Sequence, residues 1–447
     1  MNFDVLKKTL AEAAKAAGVE EYEIYYASSS ETNVGGLNKE INSFSSGASG
    51  GICLRLIYGG KMGYASSELM EEGEMRELVL RALENAKNTE KPCDDGFFGG
   101  SPSYEAMRIK KHEPESAAKL KSLTLDIMNA IYAESDKVSD GTEAGAISAS
   151  FSVAIANSKG LDLRNECGIN VVLAQAVVSD KGETQADYSI SVYDESTDVN
   201  LVAKNATDGA LSQIGASLVE SGKYDVIIDG KQMRSLLSAF APAFSAKNAQ
   251  LGISLLKGKE GEKIASDIVT LVDDPQREGS TVGTNFDAEG VATSKKSVIE
   301  NGVLKTLLHN RETAKAASCE STGNASKASY SSPVGISPYS FFIEAGNLSE
   351  DELFEKAGEG ILVTELKGLH AGANAVTGDF SIESAGFMIR GGKKCEAVKS
   401  FTIAGNFFEL LKNIAALSNE VSFSVSGSIT SYGSPSVLIP GVSVAGK

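Results

Sequence analysis

Residues 358–406 read GEGILVTELKGLHAGANAVTGDFSIESAGFMIRGGKKCEAVKSFTIAGN. Glycines at 368, 372, 378, 386, 391 and 392 punctuate segments that are apolar or alternate in polarity. Glycine adopts positive φ and lets a second backbone come close, so this spacing predicts short strands joined by tight turns. The stretch also carries His370, one of only three histidines, and the acids Asp379 and Glu383. Those acids fall four apart on an expected strand, hence on one face of it. Such a segment reads either as a catalytic surface or as an inert β scaffold, and the rest of the chain must decide.

Working outward, YDVIID at 224–229 predicts a buried strand that opens a new unit. A helix is expected over 231–244 as far as Pro242, then glycine-rich β segments to the end, with one helix near 406–417. On the N-terminal side, Phe3, Leu6, Leu10, Ala13, Ala14 and Ala17 share one helical face that ends at Gly18. Strands are expected at 22–28, 36–46 and 51–58, with Tyr58-Gly59-Gly60-Lys61 turning into a further strand at 62–66. Met75, Leu78, Val79, Ala82, Leu83 and Ala86 mark a helix over 71–88. Pro92, Asp94-Asp95-Gly96, Gly99-Gly100 and Pro102 make 91–114 a loop. A helix over 115–134, an antiparallel meander at 144–156, 161–178 and 185–193, and a helix near 199–216 follow.

The expected fold is therefore α+β. An N-terminal domain, 1–220, combines antiparallel sheet with helices, as subunits 1–90 and 115–218 joined by the 91–114 loop. A C-terminal domain, 221–447, is β-rich, barrel-like or a sandwich, with a few helices.

Composition narrows the function classes. A content of 42% hydrophobic and 23% charged residues is that of a soluble globular protein with ample core material. The net charge of −17 argues against a nucleic-acid binder, because a phosphate backbone needs a basic surface. The N-terminal MNFDVLKKTL has no signal-peptide character, and no apolar run is long enough for a bilayer. The five cysteines, at 53, 93, 167, 319 and 395, are dispersed and form no CxxC pair. Reduced thiols and a cytoplasmic location are the simplest reading.

Local motifs carry little chemistry. Gly47-Ala48-Ser49-Gly50-Gly51 matches GxSxG, but a nucleophile elbow needs a helix after the serine, and a strand is expected there instead. It reads as a glycine- and serine-rich turn. Ser116–Lys119 and Ser254–Lys257 match SxxK without the companion elements of a β-lactamase-like site. There is no P-loop and no GxGxxG. His112, His309 and His370 are far apart in sequence, and no HExxH occurs. A folded group of His309, His370 and an acid could still bind metal. Of the acid pairs Asp273-Asp274, Asp287/Glu289 and Asp379/Glu383, most are expected on solvated faces or in turns; Asp273-Asp274-Pro275 has the form of a turn.

Several separate segments, in order, resemble the TldD/PmbA family, whose members also carry the description "modulator of DNA gyrase". They are GTNFDAEGVATSKKSVIENGVLKTLLHNRETA (283–314), STGNAS (321–326), EAGNLSEDEL (344–353), the 360–389 part of the opening stretch, TIAGNFFELLKNI (402–414) and GSPSVLIPGVSVAGK (433–447). The N-terminal half is similar more loosely, through GICLRLIYGGKMGYASS at 51–67. One branch of the family resembles zinc peptidases. It has a His-Glu-x-x-x-His motif on the helix after the first strand of the C-terminal half, and a late cysteine as third ligand. The other branch, PmbA-like or TldE-like, lacks these residues and pairs with a TldD-like chain.

Laying that motif on the helix after YDVIID puts its first His at Ser238, its Glu at Ala239 and its second His at Ala243. None of these side chains binds zinc or activates water, and the last cysteine is Cys395, well before the C-terminus. The chain thus resembles the metal-free branch, with no catalytic residue and no cofactor expected at the motif positions. The resemblance implies a cytoplasmic, non-catalytic subunit that pairs with a zinc-bearing TldD-like chain and helps hold unfolded or peptide substrates, with a homodimer as the form when alone. His309, Arg311, His370, Asp379 and Glu383 remain as candidate cavity-lining residues. Two alternatives stay open: an autonomous hydrolase with a non-zinc site around His309, His370 and Asp379, and a non-enzymatic homo-oligomeric binding protein. No nucleic-acid or membrane partner is expected.

Overall fold

The computed structural model describes residues 3–90, 92–93, 96–109, 111–425 and 428–447; Lys91, Asp94, Asp95 and Lys110 of the expected loop lie outside the described residues. Six strands build the N-terminal sheet: β1 (Glu21–Leu37), β2 (Glu40–Tyr58), β3 (Lys61–Ser67), β4 (Glu143–Asn157), β5 (Asp162–Asp180) and β6 (Glu183–Val192). Their spatial order is β3-β2-β1-β4-β5-β6 and every neighbour is antiparallel. The pieces expected as separate subunits therefore contribute to one sheet, joined where Glu23–Leu37 of β1 pairs with Glu143–Asn157 of β4.

Two strand expectations change. The segment 36–46 is not one strand, because the chain reverses at Asn38-Lys39, both at positive φ. Two consecutive positive φ values form the tight turn whose twist matches a hairpin, and asparagine tolerates that region well. The Gly47–Gly51 segment is not a turn; it runs inside β2, paired with β1 from Ala27 to Glu31. No helix follows Ser49, so the nucleophile-elbow reading fails on structure as well.

Helices α1 (Phe3–Ala16) and α2 (Glu72–Asn88) bury Leu6, Leu10, Met75, Leu78 and Val79 against Ile24, Leu54 and Leu56 of the sheet. Helices α3 (Ala117–Glu134) and α4 (Val199–Ser212) cover a second stretch around Val34, Ala146 and Val172. The 3.6-residue apolar spacing read from the sequence is what lets each helix lay one stripe on the sheet.

The C-terminal half is a closed barrel, which selects between the two expected forms. Strands β7 (Gly222–Ile228), β8 (Gly360–Lys367), β9 (Asp379–Arg390), β10 (Lys393–Asn406) and β11 (Val437–Ala445) pair in the order β11-β7-β8-β9-β10, and β10 closes back onto β11. The opening stretch supplies β8, β9 and β10, joined at Gly391-Gly392 by another turn with two positive φ values. β7 ends in the apolar run Val226-Ile227-Ile228, where both of its faces are covered. Val226 and Ile228 meet helix α5 (Gly230–Phe240), while Ile227 packs with Leu353 and Phe354 of the helix Glu350–Ala357. Phe240 stacks on Phe407 with ring centroids 4.5 Å apart. A second, smaller sheet holds Leu271–Asp274, Ser340–Ile343 and Ser431–Ser434 side by side. The fold is α+β, as expected.

Candidate functional site

Asp229 caps α5, accepting the Gln232 N–H at 2.7 Å. Gly230, the first helical residue, has no room for a side chain: a Cβ there would lie 2.5 Å from the Ser434 carbonyl oxygen. α5 therefore starts hard against the Ser431–Ser434 strand. Met233, Leu236, Leu237 and Phe240 point into the core, which leaves Arg234, Ser235, Ser238 and Ala239 on the opposite side. At Pro242 the α-helix gives way to a 3-10 turn, Ala241–Phe244.

A second wall comes from the loop after β8. β7 pairs with β8 only as far as Ile228 opposite Val363. Beyond that the Gln232 side chain replaces a strand, donating to the Thr364 carbonyl at 2.8 Å and accepting the Leu366 N–H at 3.1 Å. This fixes the one-turn helix Leu369–Gly372 next to α5.

Together with Tyr188 and Ile190 of β6 and with Ser424, Val425 and Tyr432, these elements enclose a cavity of about 640 Å³ between the N-terminal sheet and the barrel half. Ser238, Ala239, Arg234 and His370 all line it. Arg234 donates to Ser422 Oγ at 3.0 Å and to the Phe423 carbonyl, and burial draws its pKa down. The Ser238 hydroxyl hydrogen-bonds Tyr432, whose own pKa burial pushes up. Tyr188 stands 55% exposed on the last strand of the sheet, which among the described residues has no strand on its far side.

The sequence candidates separate on this map. Ser238, Ala239 and His370 meet in the cavity, whereas Ala243 is buried in the core behind it. His309 is 5% exposed; its backbone N–H donates to Thr322 Oγ1 at 2.7 Å, Cys319 Sγ lies 4.0 Å from Nε2, and burial lowers its pKa. Arg311 reaches the loop before α3 instead, with Nη1 3.3 Å from the Gly96 carbonyl and its guanidinium over the Phe98 ring. Asp379 and Glu383 are exposed on one face of β9, while Phe380 and Ile382 between them are buried. Asn406 Nδ2 donates to Asp379 Oδ1 at 3.0 Å and, with Thr377, holds that carboxyl below its ordinary range.

Zinc needs three or four nitrogen, sulfur or carboxylate donors in one shell. A serine hydroxyl and two alanines do not offer that set. Among the described residues no three His, Cys, Asp or Glu side chains come together, so His309, His370 and an acid do not form the metal group held open from sequence. The residues present do not fit the metal.

Two acid pairs expected at solvated positions are buried. Asp273 is 0% exposed and accepts the Tyr339 N–H at 2.6 Å, Asn324 Nδ2 at 2.7 Å and Lys296 Nζ at 3.2 Å. Asp287 accepts backbone N–H groups of Glu289, Val291 and Ala325. Burial, with the Glu289 charge beside it, pushes its pKa up to about 7 against those bonds. The partners of Asp273, and Ala325 among those of Asp287, are remote in sequence, so composition pointed to the surface. Arg234, Tyr188 and Tyr432 were also missed; the one available signal was a charged residue, Arg234, beside Ser235 and Ser238 on the face of the helix opposite its apolar stripe.

Comparison with known proteins agrees with this architecture. The family model described as PmbA/TldA metallopeptidase C-terminal domain matches residues 221–446, and the one described as PmbA/TldA metallopeptidase domain 1 matches residues 22–86. A metalloprotease of Methanothermobacter thermautotrophicus is 29% identical over 388 residues, covering 84% of this chain and 83% of its own. Metalloprotease PmbA of Escherichia coli O157:H7 is 24% identical over 415 residues, 91% of this chain and 88% of its own. A crystal structure from Thermotoga maritima, described as a modulator of a DNA gyrase, superposes with a TM-score of 0.90 at 29% identity, covering 99% of this chain and 100% of the other. TldE from Thermococcus kodakarensis shares the fold at a TM-score of 0.87 and 24% identity, covering 98% of this chain and 99% of its own.

Proposed function

This chain belongs to the PmbA/TldD metallopeptidase family, and we propose that within it the chain is a non-catalytic partner subunit of a zinc-bearing TldD-like peptidase in the cytoplasm. Its task is to shape a chamber and hold unfolded or peptide substrates. The observation that carries the proposal is the cavity itself: it is roomy and walled by α5, yet two of the three motif positions that would place zinc chemistry there are Ser238 and Ala239. β6 adds a means of binding. It is an end strand with Tyr188 and Ile190 turned into the same cavity, and an extended peptide can add to a sheet edge through main-chain bonds that ask for no particular sequence. The family's gyrase description does not call for DNA contact. With a net charge of −17, an effect on gyrase would run through degradation of a peptide.

An assay of the purified chain alone tests the non-catalytic role. It should cleave no unfolded peptide, with zinc supplied or with chelator. Cleavage that survives chelation and disappears in His370→Ala would replace this reading with the autonomous hydrolase.

A further inference from the structure

A second cavity, of about 270 Å³, lies between the N-terminal sheet and the segments 282–288 and 325–339. It shares no lining residue with the cavity of Ser238 and His370. Its walls are mostly apolar. Tyr25 of β1 and Phe151 and Val153 of β4 form the sheet side, with Val282 and Phe286 among the residues opposite. Two polar groups stand out on this lining. Tyr25 is 7% exposed, and among the described residues its hydroxyl makes no hydrogen bond. Lys327 follows the short strand Ala325–Ser326. Its ammonium lies 4.7 Å from the centre of the Tyr25 ring and 5.8 Å from that of Tyr64, and among the described residues no carboxylate forms an ion pair with it. Burial accordingly draws the Lys327 pKa down. The neighbouring cation is already matched: Arg55 donates to Glu23, with Nε 3.0 Å from Oε1. Asp287, the one acid lining the cavity among the described residues, already accepts three backbone N–H groups.

We propose that this cavity binds a small molecule with an apolar body and one carboxylate head. The head meets Lys327 and the Tyr25 hydroxyl, and the body lies against Phe151, Val153, Val282 and Phe286. Charge sets the head. An unpaired ammonium and an unpartnered hydroxyl in a poorly hydrated wall call for an anion that accepts hydrogen bonds, and such a charge-assisted pair is strong away from water. Size sets the body. A volume of 270 Å³ is the share of about nine waters at about 30 Å³ each, which admits about ten non-hydrogen atoms. An apolar lining with a few placed polar groups is the usual build of a small-molecule site. This site does not depend on the role in peptide cleavage.

Isothermal titration calorimetry of the full chain with octanoate, a ligand of that size, is the test. One molecule should bind per chain, with a dissociation constant below about 1 mM. Lys327→Met should weaken binding about tenfold or more, and Tyr25→Phe about threefold or more. Val153→Trp, in a chain that keeps its melting temperature, should fill the cavity and abolish binding. Ser238→Trp, in the other cavity, should leave it unchanged, and octylamine should not bind. Either a free small acid or the end of a peptide supplies such a head. N-acetylphenylalanine and its amide separate the two: binding of that acid tighter than octanoate, and lost in the amide, assigns the site to peptide ends, and weaker binding assigns it to free acids. No saturable heat up to about 10 mM octanoate overturns the proposal. So does octanoate binding that Lys327→Met leaves untouched.

Discussion

Asp273→Ala is the substitution with the most calculable cost. The side chain is fully buried and serves three donors at once: the Tyr339 N–H, the Asn324 amide and the Lys296 ammonium. Lys296 is itself only 14% exposed, so the pair is poorly screened. Removing one member of a buried ion pair costs about 3–5 kcal/mol, because the other charge is left without a partner. Each neutral donor left unmet adds to that penalty. At about 2–4 °C per kcal/mol for a domain of this size, the melting temperature should fall by about 6–20 °C. Differential scanning fluorimetry and urea unfolding read the change. The companion Lys296→Met leaves Asp273 two of its donors and should cost less. Combining it with Asp273→Asn should recover part of the loss, because the stranded ammonium is gone. A loss below about 1 kcal/mol for Asp273→Ala, or single effects that simply add, would refute the reasoning.

Two further predictions concern the walls of the cavity. Glu183, at the start of β6, accepts Lys399 Nζ of the barrel at 2.7 Å, and that bond, with those from the Gly215 N–H and Gln185, brings its pKa down to about 2. A depressed carboxylate stabilises the fold above its unfolded value of 4.5, and that contribution is lost as pH falls from 4.5 through about 2. Carboxyl-detected NMR should place the titration there, and Lys399→Met should raise it; an unchanged midpoint would mean the contact is absent in solution. Gly230→Ala places a Cβ 2.5 Å from the Ser434 carbonyl and should cost about 1–3 kcal/mol while tilting α5. Thermal unfolding checks the cost, and a neutral result would show that α5 does not start hard against its neighbour.

The parts of the fold that proved legible were those written in local periodicity. Helix α2 was read from Met75 to Ala86, and YDVIID from its Val226-Ile227-Ile228 run, because burial on both faces leaves no alternation to look for there. The Gly391-Gly392 hairpin was readable because glycine announces positive φ. The Asn38-Lys39 hairpin was not, since lysine gives no such warning, and missing it split the long β1–β2 pair. The merging of two expected subunits into one sheet was also hidden, because Ser30 of β1 pairs with Ser150 of β4 and no local pattern encodes so distant a partner.

The site was legible in the same uneven way. Matching a motif to Ser238 and Ala239 located one wall of the cavity. It failed at Ala243, where Pro242 has already tightened the helix and turned that position inward. His370 came to the cavity through the Gln232 bridge, a contact between residues far apart in sequence. Asp273 illustrates the opposite error. Beside Asp274 and Pro275 it looked like a solvated turn, and only Asn324, Tyr339 and Lys296, all remote, make it a buried anchor.

The central claim is that this chain completes a peptide-holding chamber whose chemistry belongs to its partner. The direct measurement is the rate at which a zinc-bearing TldD-like chain cleaves an unfolded peptide, alone and with this chain added. The account predicts a faster rate for the pair, and a return toward the lone rate when Ser238→Trp fills the cavity in a chain that still folds and pairs. Equal rates with and without this chain would contradict it.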